Sequence, residues 1–252
     1  MIRLAALIAI WLAAVGAAPA PVLVPDVSSR QVQIQTSFTG EELLLFGAII
    51  YPDAMPVGGA DIAVVLRGPT DSILVREKQK VAGVWVNADS HLFRSAPGFY
   101  AVASSAPLSD LIDERTAAIF ELGLANLQLS PGPTQDPATE RRIETGFIDL
   151  MRERALYAEY PDGVDVTDGV LYRARIAIPS RVPVGDYTAE TFLIADGRIL
   201  AVATRDVAIG KTGFERFVAL AAERRQGWYG IVAVLVSLGL GAFAAFVFAR
   251  RS

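Results

Sequence analysis

The sequence predicts a mainly β protein: an immunoglobulin-like β-sandwich with an αα-hairpin insertion, followed by one C-terminal transmembrane helix. Three observations predict this architecture. Apolar residues alternate in short segments before residue 104 and again after residue 164, which is typical of half-buried strands. The apolar period becomes helical between about 108 and 158. Residues 228–249 are uncharged and would form a helix about 33 Å long, enough to cross a hydrocarbon core of about 30 Å.

The N-terminus has the pattern of a secretory signal peptide, predicted over residues 1–20. Arg3 supplies the positive charge, and the apolar stretch from Leu4 to Val15 is too short to span a membrane. Small residues come next, so cleavage is expected near Ala17. An uncleaved membrane anchor is the alternative.

The first group of strands is predicted at 31–37, 43–51, 62–67, 72–80, 83–88 and 99–104. Their short length and their Gly and Pro boundaries are typical of a β-sandwich. The run from Leu43 to Tyr51 is almost entirely apolar and is expected to be a buried strand. Gly68 to Asp71 is expected to form a hairpin turn between neighbouring strands. Trp85 is expected in the core rather than in a ligand cage.

The insertion at about 108–158 is predicted to contain two helices joined by a loop at 130–133. Ser109 is the expected N-cap of the first helix. Asp136 is expected to cap the second, with Pro137 at its first position. The second helix should pack an apolar stripe on the sandwich, formed by Ile143, Phe147, Leu150 and Met151.

Strands return at 164–166 and 171–178, and the strongest local signal comes after them at Asp196-Gly197. This pair is typical of a two-residue type I′ hairpin and predicts strands at 187–195 and 198–208. The hairpin should place Ile194 opposite Ile199, and Phe192 opposite Ala201. Residues 183–187 are expected to be a strand-entry turn with Tyr187 at the sandwich edge.

These patterns divide the chain into a signal peptide (1–20), a periplasmic domain (21–210), a juxtamembrane helix (211–227), a transmembrane helix (228–249) and a cytoplasmic tail (250–252). Basic residues are more numerous before the span than after it, which by itself would place the domain in the cytoplasm. A cleaved signal, however, directs translocation of the domain behind it. We therefore expect a single-pass inner-membrane protein with its domain in the periplasm and its C-terminus in the cytoplasm.

Composition excludes several kinds of function. The chain has no cysteine, so disulfides, thiolate catalysis and cysteine-based metal sites are ruled out. The net charge is −4 without a long run of one sign, which argues against nucleic acid as a partner. We expect no cofactor, no metal and no enzymatic activity.

Two groups of residues have the composition of a catalytic or a metal site, but each is better explained by its role in the local backbone structure. Asp89, Ser90 and His91 point in alternate directions on an extended chain and cannot form a triad, so His91 is expected in a loop or at a strand end. The aspartates of the 161–169 segment lack the spacing of an EF-hand. Turn chemistry is expected to explain all three of them: Asp162, Asp165 and Asp168.

Small residues recur every four positions along the predicted span. They form a candidate ridge for a partner helix, because small side chains let two helices approach closely. The expected partners are the lipid bilayer and, through this ridge, another integral membrane protein or a second copy of the chain. The ridge consists of Ala233, Ser237, Gly241 and Ala245.

Two long motifs then carry a resemblance: VAGVWVNADSHLFRSAPGFYAVASSAPL at 81–108 and IAIPSRVPVGDYTAETFLIADGRIL at 176–200, with KTGFERF and the span after them. They resemble a family of alphaproteobacterial transmembrane proteins over nearly all of the mature chain. The resemblance implies an envelope protein with a non-cytoplasmic β-rich domain and one C-terminal helix. It implies no activity and no catalytic residues. At family level it suggests an association with sulfite or other anion exporters.

The expected function is that of an accessory or interaction subunit of a membrane complex. The alternative is a membrane-tethered periplasmic solute-binding module, which requires a concave pocket. A core filled by side chains would favour the first function. A roomy cleft with converging polar groups would favour the second.

Overall fold

A computed structural model describes residues 20–34, 40–130, 136–211, 230, 234 and 237–241. They belong to two compact units. The first contains residues up to 32 and 39–209, and the second contains 33–38 and everything from 210 onward. Most of the predicted signal peptide, the juxtamembrane helix after residue 211, the cytoplasmic tail and most of the predicted span lie outside the described residues.

The described chain is mainly β. Three helices interrupt the strands: α1 (Leu108–Leu111), α2 (Glu114–Ile119) and α3 (Pro137–Glu153), with a 3₁₀ turn at Leu124–Asn126. The strands are β1 (Val22–Val27), β2 (Gln31–Ile34), β3 (Glu41–Ile50), β4 (Asp61–Arg67), β5 (Thr70–Val81), β6 (Val84–Pro97), β7 (Tyr100–Ser104), β8 (Tyr157–Tyr160), β9 (Val164–Thr167), β10 (Leu171–Ile178), β11 (Gly185–Ala195) and β12 (Arg198–Lys211).

The strands form two larger sheets and one separate hairpin. One sheet has four strands in the order β1-β3-β10-β9, and the other has six in the order β2-β12-β11-β4-β7-β8. Strands β5 and β6 pair only with each other and form a two-stranded ribbon. Strands β7 and β8 run parallel, so the helical segment between them is a crossover connection.

The inner faces of the two larger sheets pack against each other. Strand β10 alternates strictly between exposed and buried residues, because one of its faces points to water and the other to the core. Tyr172 of β10 is buried and donates a hydrogen bond to Thr191 of β11 at 3.3 Å, which joins the two sheets. Arg205 of β12 donates to the Pro25 carbonyl of β1 at 2.7 and 3.1 Å. These two contacts hold the sheets together inside the core and at their edge.

The helical segment covers the outer face of the six-stranded sheet. Strands β4 and β7 are therefore buried on both faces. Phe147 of α3 stacks on Phe93 of β6, with ring centroids 4.4 Å apart, and meets the ring of Tyr157 of β8 edge-on at 5.8 Å. Helix α3 thus joins the base of the β5–β6 ribbon to the six-stranded sheet.

The prediction for the second helix is confirmed, and the prediction for the first is wrong. Asp136 caps α3 by accepting hydrogen bonds from the backbone N–H groups of Ala138 and Thr139, and Pro137 is the first helical residue. The predicted first helix is instead two short helices and a 3₁₀ turn. Its chain becomes extended at Ile112, and Asp113 then caps α2, so Ser109 lies inside α1 and is not an N-cap. A regular αα-hairpin is not formed.

The turn predicted at Gly68 to Asp71 is also wrong. Strands β4 and β5 belong to different sheets, and the Gly68 N–H donates instead to the Phe99 carbonyl at 2.8 Å. The hairpin turn of the ribbon is at Ala82-Gly83, where φ is 49° and 87°. Trp85, expected in the core, lies just after this turn and is 66% exposed, because the end of the ribbon joins neither of the two larger sheets in the described part of the chain.

The hairpin at Asp196-Gly197 is confirmed, with φ values of 50° and 73° and Ala195 paired with Arg198. Ile194 lies opposite Ile199 as predicted. Phe192 lies opposite Val202 rather than Ala201, because a bulge between residues 193 and 194 shifts the register.

The predicted edge turn before β11 is confirmed as well. Tyr187 is fully buried, and its hydroxyl donates to the Pro183 carbonyl at 2.7 Å. Strands β1 and β8 were not predicted from the sequence.

Candidate functional site

A half-open pocket of about 540 Å³ lies between the outer face of the six-stranded sheet and the helical segment. Its floor is formed by Val102, Ser104 and Glu159. The parallel register pairs Val102 with Glu159, and Ser104 is two residues further along β7, so all three side chains share one face. The α1–α2 segment and residues 122–126 form the walls. This is the concave feature that a solute-binding module would need.

The pocket lining is acidic. Three of the lining residues are acids, Asp113, Glu114 and Glu159, and no lysine, arginine or histidine is among the described lining residues. Glu159 accepts a hydrogen bond from the Leu124 N–H at 2.5 Å, which fixes the wall to the floor. Ser104 is only 3% exposed, and its hydroxyl has no hydrogen-bond partner in the described part of the chain. A small cationic molecule with a hydrogen-bond acceptor would match this arrangement.

A buried tyrosine and an arginine position one pocket wall. The Tyr100 hydroxyl donates to the Glu121 carbonyl at 2.8 Å and accepts from the Gly123 N–H at 3.0 Å. Arg67 forms ion pairs with Glu121 and Glu190, and its guanidinium lies 5.7 Å from the centre of the Tyr100 ring. Burial raises the pKa of Tyr100, so the hydroxyl stays protonated and continues to donate. The 121–123 wall is therefore held by a hydroxyl that keeps its proton near neutral pH.

A second feature, called here the apolar sheet face, is the outer surface of β1, β3 and β10. The register places Val22 beside Ile50, and Val24 beside Ala48 and Leu171. Their side chains form an apolar surface around a shallow groove of about 530 Å³, whose lining also includes Asp26 and Arg173 on either side of Phe46. The face consists of Val22, Val24, Leu44, Phe46, Ala48, Ile50 and Leu171.

Exposure distinguishes this face from ordinary sheet surface. Val22 is 54% exposed, Ile50 52% and Leu171 48%. The expectation that residues 43–51 form a buried strand is thus correct for the inner face of β3 and wrong for its outer face.

Arg173 lies at one end of the groove beside Phe46 and forms no ion pair within the described residues. Arg175, two residues further, is within 4 Å of Glu42 and Asp165.

The third feature is the ribbon formed by β5 and β6, called here the arm (residues 70–97). Phe93 and Ala96 are fully buried at its base. All residues from 78 to 87 are exposed at its other end. The sequence did not predict a projecting element, because alternation has the same appearance in a free ribbon and in a sheet strand.

The residues Asp89, Ser90 and His91, which were considered as a catalytic triad, do not come together in the structure. His91 lies inside β6 opposite Val75, not in a loop or at a strand end as expected. Asp89 is exposed on the same strand and lies opposite Glu77. Their neighbour Ser90 lies opposite Arg76, so the three successive side chains point to alternating faces.

The turn interpretation holds for two of the three aspartates. Asp162 and Asp168 have φ values of 62° and 52° and lie in turns. Asp165 lies instead in β9, and its carboxylate accepts a hydrogen bond from Arg175 at 3.3 Å. Among the residues that the structure describes, no three acidic or histidine side chains are grouped as metal ligands would be.

The predicted ridge lies only partly within the described residues. Ser237 and Gly241 are helical and exposed, and a Cβ added at Gly241 would meet nothing within 4 Å. Ala233 and Ala245 lie outside the described residues, so the ridge stays a prediction. Over the described ranges, the structure contains no helix of sufficient length and apolarity to cross a membrane.

Fold and surfaces together define a mainly β domain whose distinctive features are an apolar sheet face, a projecting arm and an acidic pocket. A comparison with protein families identifies the chain more closely. The family described as "Putative transmembrane protein (Alph_Pro_TM)" matches residues 22–250, and the chain belongs to this family. The resemblance noted in the sequence is thereby confirmed, and it assigns the protein to a membrane. A search of curated proteins gives no match.

Proposed function

We propose that the protein is a single-pass inner-membrane protein that presents a periplasmic immunoglobulin-like β-sandwich, and that it serves as an interaction subunit of a membrane complex. Its contact surface is the apolar sheet face. Its partner is another integral membrane protein, which presents an apolar surface and a carboxylate. The role involves no catalysis and no cofactor.

The sandwich assignment is supported by the packing of the two larger sheets and by Tyr187. Its hydroxyl bonds to a carbonyl four residues upstream, at the start of a strand. A tyrosine in this position is a recurring feature of immunoglobulin-like sandwiches. The membrane assignment is supported by the family match and by the uncharged stretch at 228–249.

The apolar sheet face is the observation that carries the interaction role. Single exposed apolar residues are normal on a soluble surface, whereas a contiguous patch marks a binding surface. Arg173 borders the patch without an ion-pair partner in the described residues, and a carboxylate on the partner would complete a charge-assisted hydrogen bond there. The family-level association makes an exporter of sulfite or another anion the first partner to test.

Co-purification with a matched pair of variants tests this role. Val24 and Val202 are 47% and 45% exposed and lie on different sheets, so glutamate at either position changes charge and volume equally. We expect Val24→Glu to abolish recovery of an integral membrane protein in mild detergent, and Val202→Glu to leave it unchanged. Equal recovery with both variants, or recovery of soluble proteins only, would remove the apolar sheet face as the contact surface.

A second function, solute binding, is favoured by one specific observation. The acidic pocket is lined by Glu159 and by the buried Ser104, whose hydroxyl has no hydrogen-bond partner within the described residues. A thermal-shift titration of the full chain with ethanolamine, which carries an ammonium group and a hydroxyl that can accept a hydrogen bond, tests it, with Glu159→Gln as the variant. A rise in Tm for the natural sequence that is lost in Glu159→Gln would support solute binding. No rise in either protein would count against a cationic solute.

A further inference from the structure

The end of the arm combines exposed apolar side chains with positive charge. Four large apolar residues are exposed there: Val81 at 55%, Val84 at 64%, Trp85 at 66% and Val86 at 40%. The charged side chains between positions 78 and 88 are two lysines, with no acid. We call residues 78–87 the arm tip.

The strand register distributes these residues over both faces of the ribbon. Lys80 pairs with Trp85 and Lys78 with Asn87, so the tryptophan and both lysines share one face. Val81 pairs with Val84, and Gln79 with Val86, so the valines occupy the other face. The arm tip is therefore apolar beside its turn, through Val81 and Val84 on one face and Trp85 on the other, with Lys80 level with Trp85 and Lys78 further from the turn. This is the shape of a wedge rather than of a flat contact surface.

The base of the arm is fixed, and its tip projects. Phe93 packs on Phe147, and Glu77 forms an ion pair with Arg142 of α3. Beyond Glu77, five more residues lead to the turn at Ala82, a distance of roughly 17 Å in a strand. The chain as a whole carries a net charge of −4. Because charges are screened over about 8 Å at physiological ionic strength, most of that negative charge is out of reach of the tip. Two acids flank the lysines, Glu77 and Asp89, and the Asp89 carboxylate accepts a hydrogen bond from the Gln79 side chain at 3.4 Å.

We propose that the arm tip inserts into the surface of a bilayer that contains anionic lipids, and so forms a membrane contact in addition to the predicted C-terminal span. Tryptophan prefers the interfacial region, where its ring is buried and its N–H finds a polar partner. Lysines set back from an apolar edge lie at the depth of the headgroups, where each gains from nearby negative charge. Val81 and Val84, which flank the turn, enter the acyl region. This contact is independent of the apolar sheet face.

Fluorescence of the reconstituted full chain tests the proposal. The sequence has three tryptophans, so Trp11→Phe with Trp228→Phe leaves Trp85 as the only one. The protein is placed in vesicles of phosphatidylcholine, with or without phosphatidylglycerol, whose acyl chains carry bromine. We expect bromine to quench Trp85 in the anionic vesicles and its emission to shift to the blue. A reporter moved to the base, with Leu92→Trp and Trp85→Phe, should stay unquenched.

Reversing the charge of the two lysines tests whether anionic lipid, rather than another surface, quenches Trp85. Lys78→Glu with Lys80→Glu should lower the ratio of inserted to free tip by about twentyfold or more, since each lysine near an anionic surface is worth about fivefold. Arg115→Glu with Arg181→Glu changes the net charge equally at exposed positions outside the arm and should leave quenching unchanged. Emission typical of water with no quenching would overturn the proposal. So would protection of Trp85 from aqueous acrylamide without quenching by bromine, since a protein would then cover the tip.

Discussion

Gly47 gives the sharpest test of the packing beneath the apolar sheet face. It lies in β3 between Pro25 and Tyr172, and the Tyr172 ring crosses over it toward the other sheet. A Cβ added at Gly47 would be 2.5 Å from the Val24 carbonyl oxygen and 2.6 Å from the Tyr172 hydroxyl. Neither contact is tolerable, and one partner is backbone. Gly47→Ala must therefore displace β1 or the Tyr172 ring.

The expected cost of Gly47→Ala has two parts. Overpacking of a core costs about 1–3 kcal/mol, and loss of the Tyr172 hydrogen bond to Thr191 adds about 0.5–1.5 kcal/mol. The free energy of unfolding should thus fall by roughly 2–4 kcal/mol. For a domain of this size that corresponds to a decrease in Tm of roughly 4–16 °C. The measurement is thermal unfolding of the full chain in detergent.

Gly146 provides the matched control. It lies inside α3, where an added Cβ would meet nothing within 4 Å. Alanine is the better helix former, so Gly146→Ala should raise the free energy of unfolding by about 0.5–1 kcal/mol. Opposite signs for the two variants are expected. A Gly47→Ala protein as stable as Gly146→Ala would show that Tyr172 does not cross over Gly47, and would refute the packing described for β1.

Two further predictions concern the cap of α3 and the topology. Hydrogen bonds from the Thr139 hydroxyl, and from the backbone N–H groups of Ala138 and Thr139, hold the pKa of Asp136 below its usual value. The stability that this cap contributes is complete above the unfolded-state pKa of Asp136 and is lost as the pH falls through its folded-state pKa. Asp136→Ala should therefore have a lower Tm than the natural sequence at pH 7, and the two proteins should have the same Tm in acid. A difference in Tm that does not depend on pH would contradict this. Protease added to intact spheroplasts should degrade the domain, whereas full protection would place it in the cytoplasm.

Local chemistry made part of the fold predictable. Strand β10 exposes every second residue, and Asp196-Gly197 supplies the positive φ angles of a type I′ turn, so each could be located within a few residues. Asp136 and Pro137 similarly fix the start of α3. In β10, in the Asp196-Gly197 turn and at the start of α3, the residues that predict the structure are the same residues that form it.

The remaining features depend on what each element packs against. Apolar and polar residues alternate around Trp85 as they do in a strand, but this pattern does not show that the strand pairs outside the two larger sheets. The apolar run in β3 indicated burial on both faces, and its outer face is exposed. That run was the available signal for the apolar sheet face. The pocket joins β7, β8 and the helical segment, and strand β8 is only four residues long, too short for its periodicity to be recognised.

Site-specific photo-crosslinking in intact cells tests the central claim most directly. A photo-reactive phenylalanine analogue at position 46 would lie on the apolar sheet face, in the lining of its groove, and the same analogue at position 202 would lie on the other sheet. We expect position 46 to crosslink to one integral membrane protein, and position 202 to give no such product. Absence of a crosslink at position 46, or the same products from both positions, would contradict the proposal that this face binds a membrane partner.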